Sequence, residues 1–334
     1  MSSLPLVAAA ALALATGLTG GARAADYTLA TASTGGTYYP VGVALATMVK
    51  VKLQPDHEIG MTAMPSAGSA QNITLLSDGT AQFGILQGLF GQYAATGTGP
   101  LAEAGVQDDL RSVTALWPNV EQFIVPAAAA GTGTMADFVA LKGQTLALGA
   151  PGSGTLESSR VLLAGLGLDI DAEVTLAPGD YDAATEAMRD GAVAGISLPG
   201  GLPVGAVNAL FARRGGDLRL LSFTDAEREA ADGGRGLWTS AVIPAHTYAG
   251  QDEDITTIAQ PNFLAVAADV PDEDVYLITK AIYENLPFLQ AIHPATQGMT
   301  LGTAIEGLPL PLHPGALRYY QEAGVAVPET LLPR

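Results

Sequence analysis

Hydrophobic and polar positions along this chain change period repeatedly. Short apolar runs of strand length alternate with stretches whose apolar residues recur at helical spacing. Residues 27–32 read as a strand and residues 41–52 as a helix. Residues 58–63 form a second strand, 70–78 a helix and 82–87 a short buried strand. Residues 110–125 are apolar and extended, interrupted by Pro118, and read as a chain crossing between two lobes. Beyond them, 131–143 is a loop with a short helix, 145–150 a strand, 156–166 and 183–190 helices, 195–198 a strand and 202–212 a helix. Residues 218–223 read as a return to the first lobe. Residues 255–267 are again extended, 272–291 form one long helix, and 314–323 a terminal one.

This alternation is the signature of an α/β fold. Two crossings imply two lobes, a hinge and a cleft between them. The division expected is residues 25–117 with 218–334 as a discontinuous first lobe, and 118–217 as the second. Ligands of open α/β sheets sit outside the carboxyl ends of the strands. A two-lobed α/β fold with a ligand cleft between the lobes is the expectation.

The first 24 residues belong to neither lobe. Residues 4–18 are nearly all apolar, and Ala22-Arg23-Ala24 places small residues where a signal peptidase reads. The run is short for a membrane span, so a cleaved export signal at 1–24 and a periplasmic location are expected, although no Lys or Arg precedes the run. No later segment is long and apolar enough to span a membrane. Without any Cys, the chain has no disulfide, no thiolate metal site and no thioether lipid anchor.

Acidic residues outnumber basic ones 33 to 15, giving a net charge of −18. That argues against nucleic acid or an anionic membrane surface as partner. A small anion is still admissible, because local dipoles bind one inside a negative protein. Three segments repeat a design suited to it: strand, Gly with Ser or Thr, helix start. They are Thr34-Gly35-Gly36-Thr37-Tyr38, Ala67-Gly68-Ser69, and Pro151-Gly152-Ser153-Gly154-Thr155. A helix N-terminus offers unpaired N–H groups and partial positive charge, Gly admits close approach, and hydroxyls add donors. The same residues are also ordinary helix caps, and a single such loop is more often a cap than a site. Three together favour a site, with the first two in one lobe and the third in the other.

Catalytic patterns are absent. The Gly-Ser-Gly-Thr loop lacks the Lys of a nucleotide-binding P-loop, and Ser153 is not in a Gly-x-Ser-x-Gly elbow. His57, His246, His293 and His313 are far apart and show no metal-ligand spacing; no cofactor is expected. The acidic runs Asp252-Glu253-Asp254 and Asp272-Glu273-Asp274 read as solvated faces or a helix start. Tyr38 and Tyr39 stand either against a ligand or as a wedge under the first helix. Trp117 lies in the first crossing, followed by Asn119 and Glu121. A Glu facing the cleft would pair with a ligand ammonium; a solvated Glu is the plainer reading.

Seven stretches, in this order, resemble the TAXI-type solute receptors of tripartite ATP-independent periplasmic (TRAP) transporters. They are TGGTYYPVG at 34–42, AGSAQNITLL at 67–76, LGAPGSGT at 148–155, PVGA at 203–206, IPAHTYAGQD at 243–252, VYLITKAIYENL at 275–286 and PLHPGALRYY at 311–320. The resemblance spans essentially the whole chain after residue 24. It implies a type II periplasmic-binding-protein fold whose ligand, between the lobes, is a glutamate-like amino acid, a dicarboxylate or an oxo acid. It also implies an ion-gradient-driven TRAP membrane component as partner. Matched position by position, it points to Thr34, Gly36, Thr37, Tyr38, Ser69, Ser153, Gly154 and Thr155 as binding residues, with Asn119 beside them. Departures from the family pattern at Ala70-Gln71, Gln87 and Ala245-His246 bear on the ligand more than on the fold. A receptor of the same fold serving a sensor kinase or an ABC transporter is the alternative, and a periplasmic enzyme a more distant one.

Overall fold

The computed structural model describes residues 24–333. The expected export signal lies, but for Ala24, outside the described residues. The first lobe opens with β1 (Ala25–Ala30), α1 (Tyr38–His57), β2 (Ile59–Met64), α2 (Ser69–Ser77), β3 (Phe83–Gln87), α3 (Gly88–Thr96) and β4 (Leu110–Val120). The second lobe holds β5 (Phe123–Pro126), α4 (Met135–Val139), β6 (Thr145–Ala147), α5 (Gly154–Gly165), α6 (Ile170–Glu173) and β7 (Thr175–Leu176). It continues with α7 (Tyr181–Arg189), β8 (Gly195–Ser197), α8 (Gly205–Arg214), β9 (Leu218–Leu220) and α9 (Asp225–Asp232). The chain returns as β10 (Thr239–Ile243), β11 (Ile255–Ala267), α10 (Asp272–Glu284), α11 (Leu286–Ile292) and α12 (Pro314–Glu322).

The first sheet runs β10-β11-β3-β1-β2, with β4 also paired to β11. Its β2-β1-β3 part is parallel, and β11 is antiparallel to β3, β4 and β10. The second sheet runs β7-β6-β8-β5-β9. Strands buried on both faces need continuous apolar runs, and β3 supplies one in Phe83-Gly84-Ile85-Leu86, all buried, before ending on the buried polar Gln87. Leu29, Leu45, Ile59, Phe83 and Phe263 form the first lobe's core; Ile124, Ile196, Val207 and Leu210 sit in the second.

Three expectations need correction. Residues 218–220 do not return to the first lobe. They form β9, antiparallel to β5 with Ile124 opposite Leu220, because the second sheet still lacks an edge strand for buried Leu218 and Leu220. The return runs later, through α9, which packs on α5. The first crossing is also later: β4 keeps Trp117, Pro118 and Asn119 in the first sheet, and Val120 is opposite Ala259. Finally, the helix expected over 272–291 breaks at Asn285, and Pro287 stands in the first turn of α11, where its missing N–H costs nothing.

Candidate functional site

A cavity of about 470 Å³ lies between the lobes, at the carboxyl ends of β1, β2, β3 and β6. All nine residues singled out from the sequence line it: Thr34, Gly36, Thr37, Tyr38, Ser69, Asn119, Ser153, Gly154 and Thr155. The three Gly-hydroxyl loops run into α1, α2 and α5, so three helix N-termini surround one space. Among the described residues the lining contains no Lys, Arg or His, and Asp180 is its one charged group. Asp180 is exposed and caps α7, accepting from the Ala183 N–H at 3.0 Å.

The capping reading holds for only one of the three loops. Ser153 Oγ accepts the Leu156 N–H at 3.1 Å, an ordinary cap. Thr37 makes no such cap; its hydroxyl donates across the cleft to the Gly201 carbonyl at 2.9 Å. Gly68 has no side chain to cap with, and its φ of 123° is open to Gly alone. The lobes also touch through main chain: Gln71 N–H to the Gly152 carbonyl at 3.1 Å, and Ala206 N–H to the Gly35 carbonyl at 3.0 Å. The cleft is therefore closed over the cavity.

Hydrogen-bond bookkeeping fixes what the walls present. Tyr181 OH donates to the Pro199 carbonyl at 2.6 Å, so in its 2.9 Å contact with Thr155 it accepts the threonine's proton. Tyr38 OH donates to Asn262 Oδ1 at 2.5 Å. Burial pushes both tyrosines far above the usual phenol range, so both stay protonated. Ser69 Oγ accepts the Gln87 N–H at 3.2 Å. The first-turn amides of α1, α2 and α5 have no intrahelical acceptor. With the protons of Thr37, Tyr38, Thr155 and Tyr181 spent within the protein, the donors left to the cavity are the Ser69 and Ser153 hydroxyls and the unpaired first-turn amides, without a formal cation.

Gln87, Tyr181, Pro65, Ser66, Pro199 and Gly200 also line the cavity; of these the sequence marks only Gln87, as a departure from the family pattern that bears on the ligand. Gln87 carried the clearest signal, since it ends a strand and directly precedes a helix, as the three loops do. Glu121 does not line the cavity. Its buried carboxylate accepts from Trp238 Nε1 at 3.2 Å and Gln260 Nε2 at 3.5 Å, so neither the ammonium-pairing nor the solvated reading describes it. Trp117 packs edge-on against Tyr38, ring centres 5.9 Å apart. The four histidines lie outside the cavity lining.

Among solved structures, the chain is similar to a protein of Bordetella bronchiseptica RB50. The identity is 16%, the TM-score 0.54, and the match covers 91% of this chain and 85% of the other. It is also similar to a binding protein component of an ABC phosphonate transporter from Pseudomonas aeruginosa, with 8% identity, TM-score 0.52 and coverage of 82% and 80%. A Xanthomonas citri protein bound to ATP matches with 14% identity, TM-score 0.51 and coverage of 89% and 95%. At such identities these likenesses speak for the fold, the two-lobed periplasmic-binding-protein architecture. The sequence model of the NMT1-like family matches residues 29–324, and the chain belongs to that family.

Proposed function

We propose that this chain is an extracytoplasmic solute-binding protein that captures a small carboxylate and delivers it to a membrane transporter. The ligand class is a glutamate-like amino acid, a dicarboxylate or an oxo acid. One observation carries the reading: a closed interlobe cavity walled by helix N-termini, hydroxyls and amides, with no Lys, Arg or His in its lining. Such a wall stabilises negative charge by dipoles and N–H donors alone.

The partner proposed is an ion-gradient-driven TRAP membrane component, on the strength of the TAXI-like motifs. A second reading, delivery to an ABC transporter, is favoured by the likeness to the phosphonate transporter's binding component. Reconstituted uptake separates them. Collapse of the ion gradient stops transport in the first case, and ATP depletion stops it in the second.

A thermal-shift screen of refolded, ligand-stripped protein tests the binding reading. Mono- and dicarboxylates, amino acids and sugars are the panel. A binding acid at a hundred times its Kd adds about 2.7 kcal/mol of stability. Ser153→Ala combined with Thr155→Ala should shrink that ligand-induced gain. The comparison is of gains, since removing the Ser153 cap itself costs about 1 kcal/mol. A shift from a neutral sugar and from no acid would sink the carboxylate reading and leave the receptor reading standing.

A further inference from the structure

Gln87 ends β3 with 2% of its surface exposed, and its amide orientation is fixed by a chain of forced donors. The Leu89 backbone N–H, which can only donate, occupies Gln260 Oε1 at 2.9 Å. Gln260 therefore turns Nε2 towards Gln87 Oε1, 3.2 Å away. Asn119 Nδ2 and Ser158 Oγ reach the same oxygen, each at 3.2 Å. Asn119 is oriented in turn by Asn262, whose Oδ1 is held by the Tyr38 hydroxyl. Three donors converge on one end of the Gln87 amide, so the other end is Nε2. That nitrogen is buried and has no partner among the described residues, in a residue that lines the cavity.

Nε2 also sits where the two lobes meet. A Cβ on Gly154 would lie 2.3 Å from it and 2.9 Å from Ser69 Oγ. The Gln87 amide, the Ser69 hydroxyl and the start of α5 thus converge on one corner. A buried donor without an acceptor costs on the order of 1–3 kcal/mol, and a ligand oxygen placed here removes that penalty. An ammonium placed here meets the Gln87 Nε2 donor and the positive end of α5, with only the Ser69 oxygen, already accepting the Gln87 N–H, to receive it. The Glu121 carboxylate is on the far side of Gln260, engaged with it and with Trp238. Asp180 at the exposed rim already caps α7.

We propose that Gln87 sets the ligand specificity of this cavity: its Nε2 requires an oxygen acceptor at the ligand's buried end, so the site selects dicarboxylates or oxo acids over amino acids. The proposal rests on the reading of the cavity as a carboxylate site. Gln87→Glu is the discriminating variant. The carboxylate keeps an oxygen for Asn119, Ser158 and Gln260, and replaces only the inward donor by a negative oxygen.

Succinate, 2-oxoglutarate and L-glutamate are titrated calorimetrically into wild type and Q87E. Succinate or 2-oxoglutarate should bind wild type at least about tenfold more tightly than L-glutamate. Q87E should weaken the tighter acid by about 100-fold, with an unchanged circular-dichroism spectrum. Binding of that acid by folded Q87E within about threefold of wild type overturns the proposal. So does a wild-type preference for L-glutamate; either result leaves the carboxylate reading intact. If none of the three acids binds and a neutral solute does, the carboxylate reading fails and this inference falls with it. The wild-type ranking requires no variant and decides the proposal even where Q87E does not fold.

Discussion

Glu121 is the residue whose surroundings fit its charge least. It is 1% exposed, its Oε2 has no partner among the described residues, and the partners of Oε1 are neutral N–H groups. Burial pushes its pKa up to about 7, and the hydrogen bonds from Trp238 and Gln260 offset only part of that. The sign follows from linkage. In the unfolded chain the group ionises near 4.5, and in the folded protein only near 7. Its contribution is therefore most favourable below the unfolded value and is lost as pH rises through the window between them. Glu121→Gln keeps the shape and removes the ionisation. Above the folded pKa the variant should be more stable than wild type by roughly 3 kcal/mol, with the gap closing towards about pH 4.5. Urea unfolding of both proteins across that range reads it. A gap that does not change with pH would mean that the carboxyl is hydrated in the folded protein.

Among elements, the return segment from β9 to β10 departs most from its sequence reading. Two leucines in 218–220 announce a strand and say nothing about which sheet it joins. That choice depends on β5 lacking a neighbour, a non-local fact. The polar helix α9 did leave a local mark: Thr224 and Glu227 form a reciprocal capping box, and the apolar pattern around it was too thin to draw attention there. The loops and their helices were legible because strand, Gly, hydroxyl and helix start are consecutive in the chain. Gln87 was not legible as a cavity donor, because its orientation is set by Gln260 and Asn262, brought beside it by the β3–β11 register. Tyr181 reaches Thr155 within the second lobe, across 26 residues of sequence, a contact that no local pattern announces.

Beyond α9 the return segment is anchored by Asp232. Burial alone would raise this carboxyl's pKa, yet N–H groups of Trp238, Gly236 and Leu237, at 3.0, 2.7 and 2.8 Å, hold it below the usual range. Asp232→Ala leaves all three donors without that acceptor. A loss of about 3 kcal/mol is expected in chemical denaturation, with Asp232→Asn recovering part of it. Equal stability of Asp232→Ala and wild type would show that water replaces the carboxylate in this turn.

At the scale of the whole molecule, capture depends on how closely the lobes meet, and Gly154 sits at the tightest part of that meeting. It is the first residue of α5, where Ala is a better helix former than Gly, so a methyl group there gives no local reason for instability. Across the cleft the methyl would meet Gln87 Nε2 at 2.3 Å, Gln87 Cδ at 2.8 Å and Ser69 Oγ at 2.9 Å. The glutamine is held by three donors on Oε1 and cannot swing aside without breaking them. Gly154→Ala should therefore hold the lobes apart rather than unfold either one. The expected signature is a ligand-free melting temperature at or slightly above that of wild type, together with affinity weakened by about 100-fold. Small-angle scattering should show wild type contracting on saturation with 2-oxoglutarate and G154A failing to contract. Equal contraction in both would mean that the Gln87 network yields before the hinge does. An unchanged radius of gyration in wild type would argue against hinge closure as the means of capture.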